Sequence, residues 1–124
     1  MINNYELTLD NILLINELSL LEDEPFGVID KERILSALSN QYQPYTSYEK
    51  AFASVYKSLI LNHGFLNGNK RTAVIALYIG SKMIDNLISI NDDDLVSLTY
   101  KIADVNGSLI SIEEITKKLL LIYL

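Results

Sequence analysis

The residues best suited to chemistry stand together in one stretch, His63-Gly64-Phe65-Leu66-Asn67-Gly68-Asn69-Lys70-Arg71-Thr72. His63 is the only histidine in the chain, and histidine is the side chain that ordinarily exchanges a proton near neutral pH. A turn rich in Asn and Gly separates it from two adjacent cations, where an apolar run begins. The first N–H groups of a helix have no intrahelical partner, and together with the macrodipole they attract anions. Gly68 allows backbone to approach such a ligand closely. Lys70 and Arg71 fall in the first helical turn, where a cation is disfavoured by about 0.3–1 kcal/mol. Two cations so placed call for a compensating anion. A phosphate chain suits them, since arginine holds it through a fork and lysine as a point charge. A base beside a phosphate cradle points to phosphoryl or nucleotidyl transfer onto a hydroxyl, usually with Mg²⁺. Asn67 is placed to offer that ion one neutral oxygen, and few protein ligands are needed when phosphates and water supply the rest.

Each residue also has a plainer role open to it. A histidine at a helix end is commonly a cap or a surface group. Asn67-Gly68-Asn69 makes a tight turn whatever else it does. Lys70 and Arg71 can be solvated cations. Asp92-Asp93-Asp94 has the look of a metal cluster, but an acidic helix start explains it. Tyr42, Tyr45 and Tyr48 read as packing residues.

The elements that hold the stretch are predicted to be helices. The chain has 124 residues, 49% of them hydrophobic, which suits one packed domain over residues 1–124. Cysteine is absent, which excludes disulfides, thiolate metal sites and a cysteine nucleophile. A single histidine excludes a multi-histidine metal site within one chain. No apolar run approaches the length of a membrane span, and Met1-Ile2-Asn3-Asn4-Tyr5 lacks the features of a secretory signal, so the expected location is the cytoplasm. With 16 acidic and 10 basic residues the net charge is −6, which opposes nucleic-acid binding. Lys117 and Lys118 lie late in a helix, where cations suit the macrodipole.

Apolar periodicity gives an all-α reading with about six helices. The first runs from Thr8 to about Leu20, with Thr8 or Asp10 near its cap, and ends at Glu22-Asp23-Glu24-Pro25. The second starts near Asp30 and turns Ile34, Leu35 and Leu38 inward. Ser39 to Thr46, with Pro44, reads as an exposed loop or short flap. In the third, Tyr48, Ala51, Phe52, Val55, Tyr56, Leu59 and Ile60 form one apolar stripe. The fourth runs from about Asn69 to Lys82. Its segment Ala73-Val74-Ile75-Ala76-Leu77-Tyr78-Ile79 is apolar all round, which predicts a buried central helix entered directly from the motif loop. The fifth follows Asn91-Asp92-Asp93-Asp94 and stops near Asn106-Gly107. The sixth starts at Ser111 with a capping box, and its inner face is Ile112, Ile115, Leu119 and Ile122.

The stretch at 63–72 resembles the motif of the Fic/Doc family in its Doc (death on curing) form. The general Fic form is His-Pro-Phe-x-Asp/Glu-Gly-Asn-Gly-Arg, and the Doc form carries Lys in place of the second Gly, as Lys70 does here. Gly27-Val28-Ile29-Asp30 followed by Leu35-Ser36-Ala37-Leu38 is similar to the family's early Gly-x-x-Asp…Leu-x-x-Ala-Leu segment. Tyr48-Glu49-Lys50-Ala51 is similar to its lead-in to the helix before the motif. The likeness covers roughly residues 27–80, and its ten-residue core is far more specific than a lone glycine pattern.

That resemblance implies a Fic-like fold in which His63 is the general base and Phe65 anchors the loop. It implies Asn67 at the metal-contact position, and Gly68, Asn69, Lys70 and Arg71 on the phosphates of ATP with Mg²⁺. The usual Fic reaction is AMP transfer to a protein hydroxyl. The Doc lysine goes with an inverted nucleotide and transfer of the γ-phosphate, whose known target is a threonine of elongation factor Tu, so that translation stops. The implied partner is a Phd-type antitoxin whose C-terminal part covers the toxin. Alternatives are AMP transfer by the same site and a catalytically silent domain that binds a partner. Two departures bear on activity: Asn67 stands where Asp is commoner, removing one charge from the metal position, and Gly64 replaces Pro or a β-branched residue, which predicts a looser loop. The internal inhibitory pattern Ser/Thr-x-x-x-Glu-Gly/Asn of some Fic proteins has no match, in keeping with inhibition by a separate protein.

Overall fold

Short polar side chains mark most of the helix starts, each standing in for a missing intrahelical acceptor. The computed structural model describes residues 6–42, 47–84, 86–119 and 121–123. Thr8 and Asn11 close a capping box at the head of α1 (Leu9–Ser19). The Asp30 carboxylate accepts from the Glu32 N–H ahead of α2 (Lys31–Ser39). Ser47 caps α3 (Tyr48–Asn62), Asn91 caps α5 (Asp92–Ala103), and Ser111 accepts from the Glu114 N–H at α6 (Ile112–Leu119). Helix α4 (Asn69–Met83) is the exception: it starts at Gly68 with no side-chain cap.

Among the described residues the result is the expected all-α bundle of six α-helices, with one addition. Strands β1 (Asn86–Ile88) and β2 (Leu121–Tyr123) pair antiparallel, with Leu87 opposite Ile122. The sixth helix was expected to reach Ile122, but α6 ends at Leu119. A short apolar run fits helix and strand alike. Here the backbone edge of β1 decides the choice, because an open edge recruits an extended partner.

Helix α3 is enclosed by α2, α4, α5 and α6. Ala51, Phe52, Val55, Tyr56, Leu59 and Ile60 are buried as the stripe predicts, Tyr48 is half-buried, and Ala53 and Ser54 are buried beyond it. Helix α4 lies against α3 and α1 and buries Thr72, Ala73, Ala76 and Leu77. Its opposite side is less covered than its apolar sequence suggests, since Ile75, Tyr78 and Ile79 remain 36–40% exposed. Cover depends on how many neighbours surround a helix, which its own sequence does not encode.

Away from the motif, buried polar contacts at Tyr56 and Gln41 tie the layers. Tyr56 on α3 and Thr99 on α5 share a hydroxyl–hydroxyl hydrogen bond of 2.7 Å, and burial pushes the Tyr56 phenol up to about 12. Gln41 lies in a 3-10 turn, Asn40–Tyr42, and exchanges two 2.8 Å bonds with the backbone of Leu7. The stretch read as an exposed loop therefore includes a buried amide that substitutes for a peptide partner. The remainder of that loop, residues 43–46, lies outside the described residues.

Candidate functional site

Residues 63–68 join the enclosed helix α3 to α4, so both ends of the connection are fixed by packing. His63 ends α3 in the left-handed conformation, φ 49° and ψ 52°, and is exposed. This is the position where a helix usually ends in Gly or Asn. It is also the only non-glycine residue with positive φ among those described. Among the described residues its imidazole makes no hydrogen bond.

Gly64 and Phe65 are buried behind it. Ile29 and Asp30 both donate their N–H to the Gly64 carbonyl, at 2.8 and 3.2 Å, and Leu66 N–H donates to the Gly27 carbonyl at 2.9 Å. Phe65 thereby forms an antiparallel bridge with Val28, and its ring is 1% exposed and tilted against Phe26 at 6.5 Å. The early Gly27–Asp30 segment and the motif are thus one unit. A Cβ on Gly64 would stand 2.4 Å from Ile34 Cγ1. The glycine expected to loosen the loop instead lets it close onto α2.

The predicted phosphate ligands divide into different kinds. Gly68 has φ 78°, a conformation that L side chains rarely adopt, and its carbonyl accepts the Thr72 N–H at 2.8 Å. With no side-chain cap, the N–H groups of Gly68, Asn69, Lys70 and Arg71 have no hydrogen-bond partner among the described residues. The Asn69 side chain faces the loop. It donates to the Phe65 carbonyl at 2.9 Å and accepts from the Phe65 N–H at 3.0 Å. Its backbone, not its amide side chain, is therefore what can meet an anion.

Arg71 already has an anion. Its Nη2 lies 2.6 and 2.7 Å from the two Glu24 carboxylate oxygens, and its Nη1 donates to the Ser19 carbonyl at 2.8 Å. The Leu21 N–H also donates to Glu24. That bond and the Arg71 guanidinium hold the Glu24 carboxyl below the usual carboxylate range. The compensating charge sought for two misplaced cations is thus intramolecular for one of them. Among the described residues Lys70 has only the ring of Tyr100, 5.5 Å from its Nζ, a contact worth about 0.5–1 kcal/mol at an exposed position. Lys70 and Arg71 edge a mostly apolar cleft of about 390 Å³, continued by Val74, Ile75, Val96 and Tyr100.

Asn67 donates its side-chain N–H to the Pro25 carbonyl at 3.1 Å. Its Oδ1 accepts no hydrogen bond among the described residues, so one neutral oxygen is available. Among those residues no three His, Cys, Asp or Glu side chains converge on a metal position. The donor set fits an ion held mainly by phosphate and water.

Three residues of the site were not anticipated. Glu24 was read only as part of a helix stop, although an acidic run upstream of unpaired cations is a signal for pairing. Ser19 contributes through its carbonyl, which no side-chain pattern discloses. Asn16 is buried on the inner side of α1 and donates to the Asn67 carbonyl and to the Thr72 hydroxyl. No family model, curated protein or solved structure matches the chain. Among the described residues no helix is long and apolar enough to cross a membrane.

Proposed function

We propose that the 63–72 stretch is a phosphotransfer site of the Doc type, moving the γ-phosphoryl group of ATP onto a serine or threonine hydroxyl of a translation factor. The observation that carries this reading is the unpaired row of N–H groups from Gly68 to Arg71. It opens α4 without a cap, next to Lys70 and one turn of chain away from an exposed histidine. Such a row binds phosphate oxygens without any carboxylate of its own. In the reaction the target oxygen forms a bond to the γ-phosphorus as the bond to the ADP oxygen breaks, and an imidazole nitrogen of His63 takes the hydroxyl proton. Lys70 offsets charge on the phosphates. Mg²⁺ supplies further charge neutralisation when bound, and Asn67 Oδ1 is the protein oxygen available to it. Glu24 competes with a phosphate for Arg71, so nucleotide affinity responds to that pair.

ATP labelled at the γ position, with elongation factor Tu as the acceptor, tests the reading. Label should pass to the factor and be lost with His63→Ala. Transfer of an α label instead would establish AMP transfer by the same base. Calorimetry showing no affinity for ATP and Mg²⁺ would leave a partner-binding domain. The Arg71–Glu24 pair favours that last reading as a second choice, because an arginine already neutralised does not need a ligand. A toxin of this type would pair with a Phd-type antitoxin, and the exposed Ile75, Tyr78, Val96 and Tyr100 give such a partner apolar surface to cover.

A further inference from the structure

Asn16 sits 51 positions before the motif residue it touches, on the buried side of α1, and is 0% exposed. Its amide nitrogen donates to the Asn67 carbonyl at 2.8 Å and to Thr72 Oγ1 at 3.0 Å. Its Oδ1 is buried with no partner among the described residues. An unsatisfied buried acceptor is costly, and it persists where the donors beside it must be held in place.

The geometry of a peptide unit supplies the consequence. In a trans peptide the carbonyl and the following N–H point in opposite directions. Holding the Asn67 carbonyl toward the core therefore turns the Gly68 N–H outward, away from α1. Gly68, at φ 78°, is the residue where this peptide could otherwise rotate most freely. It also packs so closely that a Cβ would lie 3.2 Å from Asn16 Nδ2. Without Asn16, nothing else among the described residues bonds that carbonyl, and the peptide is free to turn its oxygen, an anion-repelling group, toward the cradle.

We infer that Asn16 is a positioning residue that sets the Asn67–Gly68 peptide so that its N–H faces the phosphate. Asn16 itself touches no ligand. The inference rests on the phosphate reading of the site and names the device that keeps the cradle formed before a ligand arrives.

The full chain, labelled with nitrogen-15, is titrated with inorganic pyrophosphate and separately with ATP and Mg²⁺, and the Gly68 amide is followed by NMR. In the unaltered protein the Gly68 resonance shifts with saturable binding. In Asn16→Leu, and in Asn16→Ala should the leucine variant not fold, affinity falls by about tenfold or more and the Gly68 response disappears. Tyr56→Phe removes a buried hydroxyl bond away from the motif, the one to Thr99. It should keep the Gly68 response and hold affinity within about twofold, even where it lowers the melting temperature. A general loss of packing would affect both sites alike. Equal losses in Tyr56→Phe and the Asn16 variants overturn the inference, as does unaltered affinity in the Asn16 variants, and in both cases the phosphate reading stands. A Gly68 amide in the unaltered protein that responds to neither ligand overturns the phosphate reading itself.

Discussion

Helices α5 and α4 begin in opposite ways. At α5 the Asn91 side chain accepts the Asp94 N–H at 2.8 Å, and Asp92, Asp93 and Asp94 complement the positive end of the dipole. The three carboxylates also repel an anionic ligand from the N–H groups that remain. At α4 the cap is a left-handed glycine, no side chain takes the free N–H groups, and the first turn carries two cations. One start is capped and screened by its own residues, the other is left uncapped by composition. A helix start that local residues leave unsatisfied is the better candidate for binding, and the contrast between the two is experimentally accessible.

The largest expected effect separates chemistry from folding. His63→Ala should lower transfer by about 10²–10⁴-fold, the usual contribution of a general base, with little change in melting temperature. His63→Gly should lose transfer equally yet gain about 1 kcal/mol of stability, because glycine relieves the left-handed strain. A stability gain with retained transfer would break the assignment of His63 as base. Next, Gly64→Ala should destabilise the fold by about 1–3 kcal/mol through contact with Ile34, read as a shift in urea midpoint. An unchanged midpoint would show that the loop yields at that point.

A smaller effect addresses the capped start directly. Asn91→Ala should cost about 1 kcal/mol and leave pyrophosphate affinity untouched, whereas changes at the α4 start alter affinity. The smallest effect concerns Glu24. Glu24→Gln should strengthen ATP binding modestly by releasing Arg71, with a slight loss of stability. The sign with pH follows from its lowered pKa. The Glu24 pairing contributes fully above its unfolded value of 4.5 and is lost as pH falls through the lower folded one. An acid titration of the unaltered protein should therefore show the Arg71 tie persisting below pH 4.5, and the Glu24→Gln variant should lack that step.

Much of the fold was legible because the signals were local. Thr8, Asp30 and Ser111 announced helix starts by their own chemistry, and the Tyr48–Ile60 stripe disclosed the inner face of α3. The motif loop and the end position of His63 were legible for the same reason, whereas the anchoring of Phe65 was expected only from the motif's resemblance to a known family. What escaped was set by contacts between distant segments. The Leu119–Tyr123 run became partly strand because β1 lay beside it. Gly64 proved to be a close-packing residue only once Ile34 was opposite it, and Arg71 found its partner in Glu24.

Sequence alone determined the composition of the candidate site: a single histidine, an Asn-Gly turn, and two cations at the mouth of an apolar helix. It determined these because residue type and spacing along one stretch of chain are enough to specify a turn, a cap and an unpaired helix start. Tertiary structure alone decided which of those groups remain free. It tied Arg71 to Glu24 and brought Asn16 beneath the Asn67–Gly68 peptide. Hydrogen-bond partners that lie dozens of residues apart are chosen by packing, and packing is a property of the folded chain.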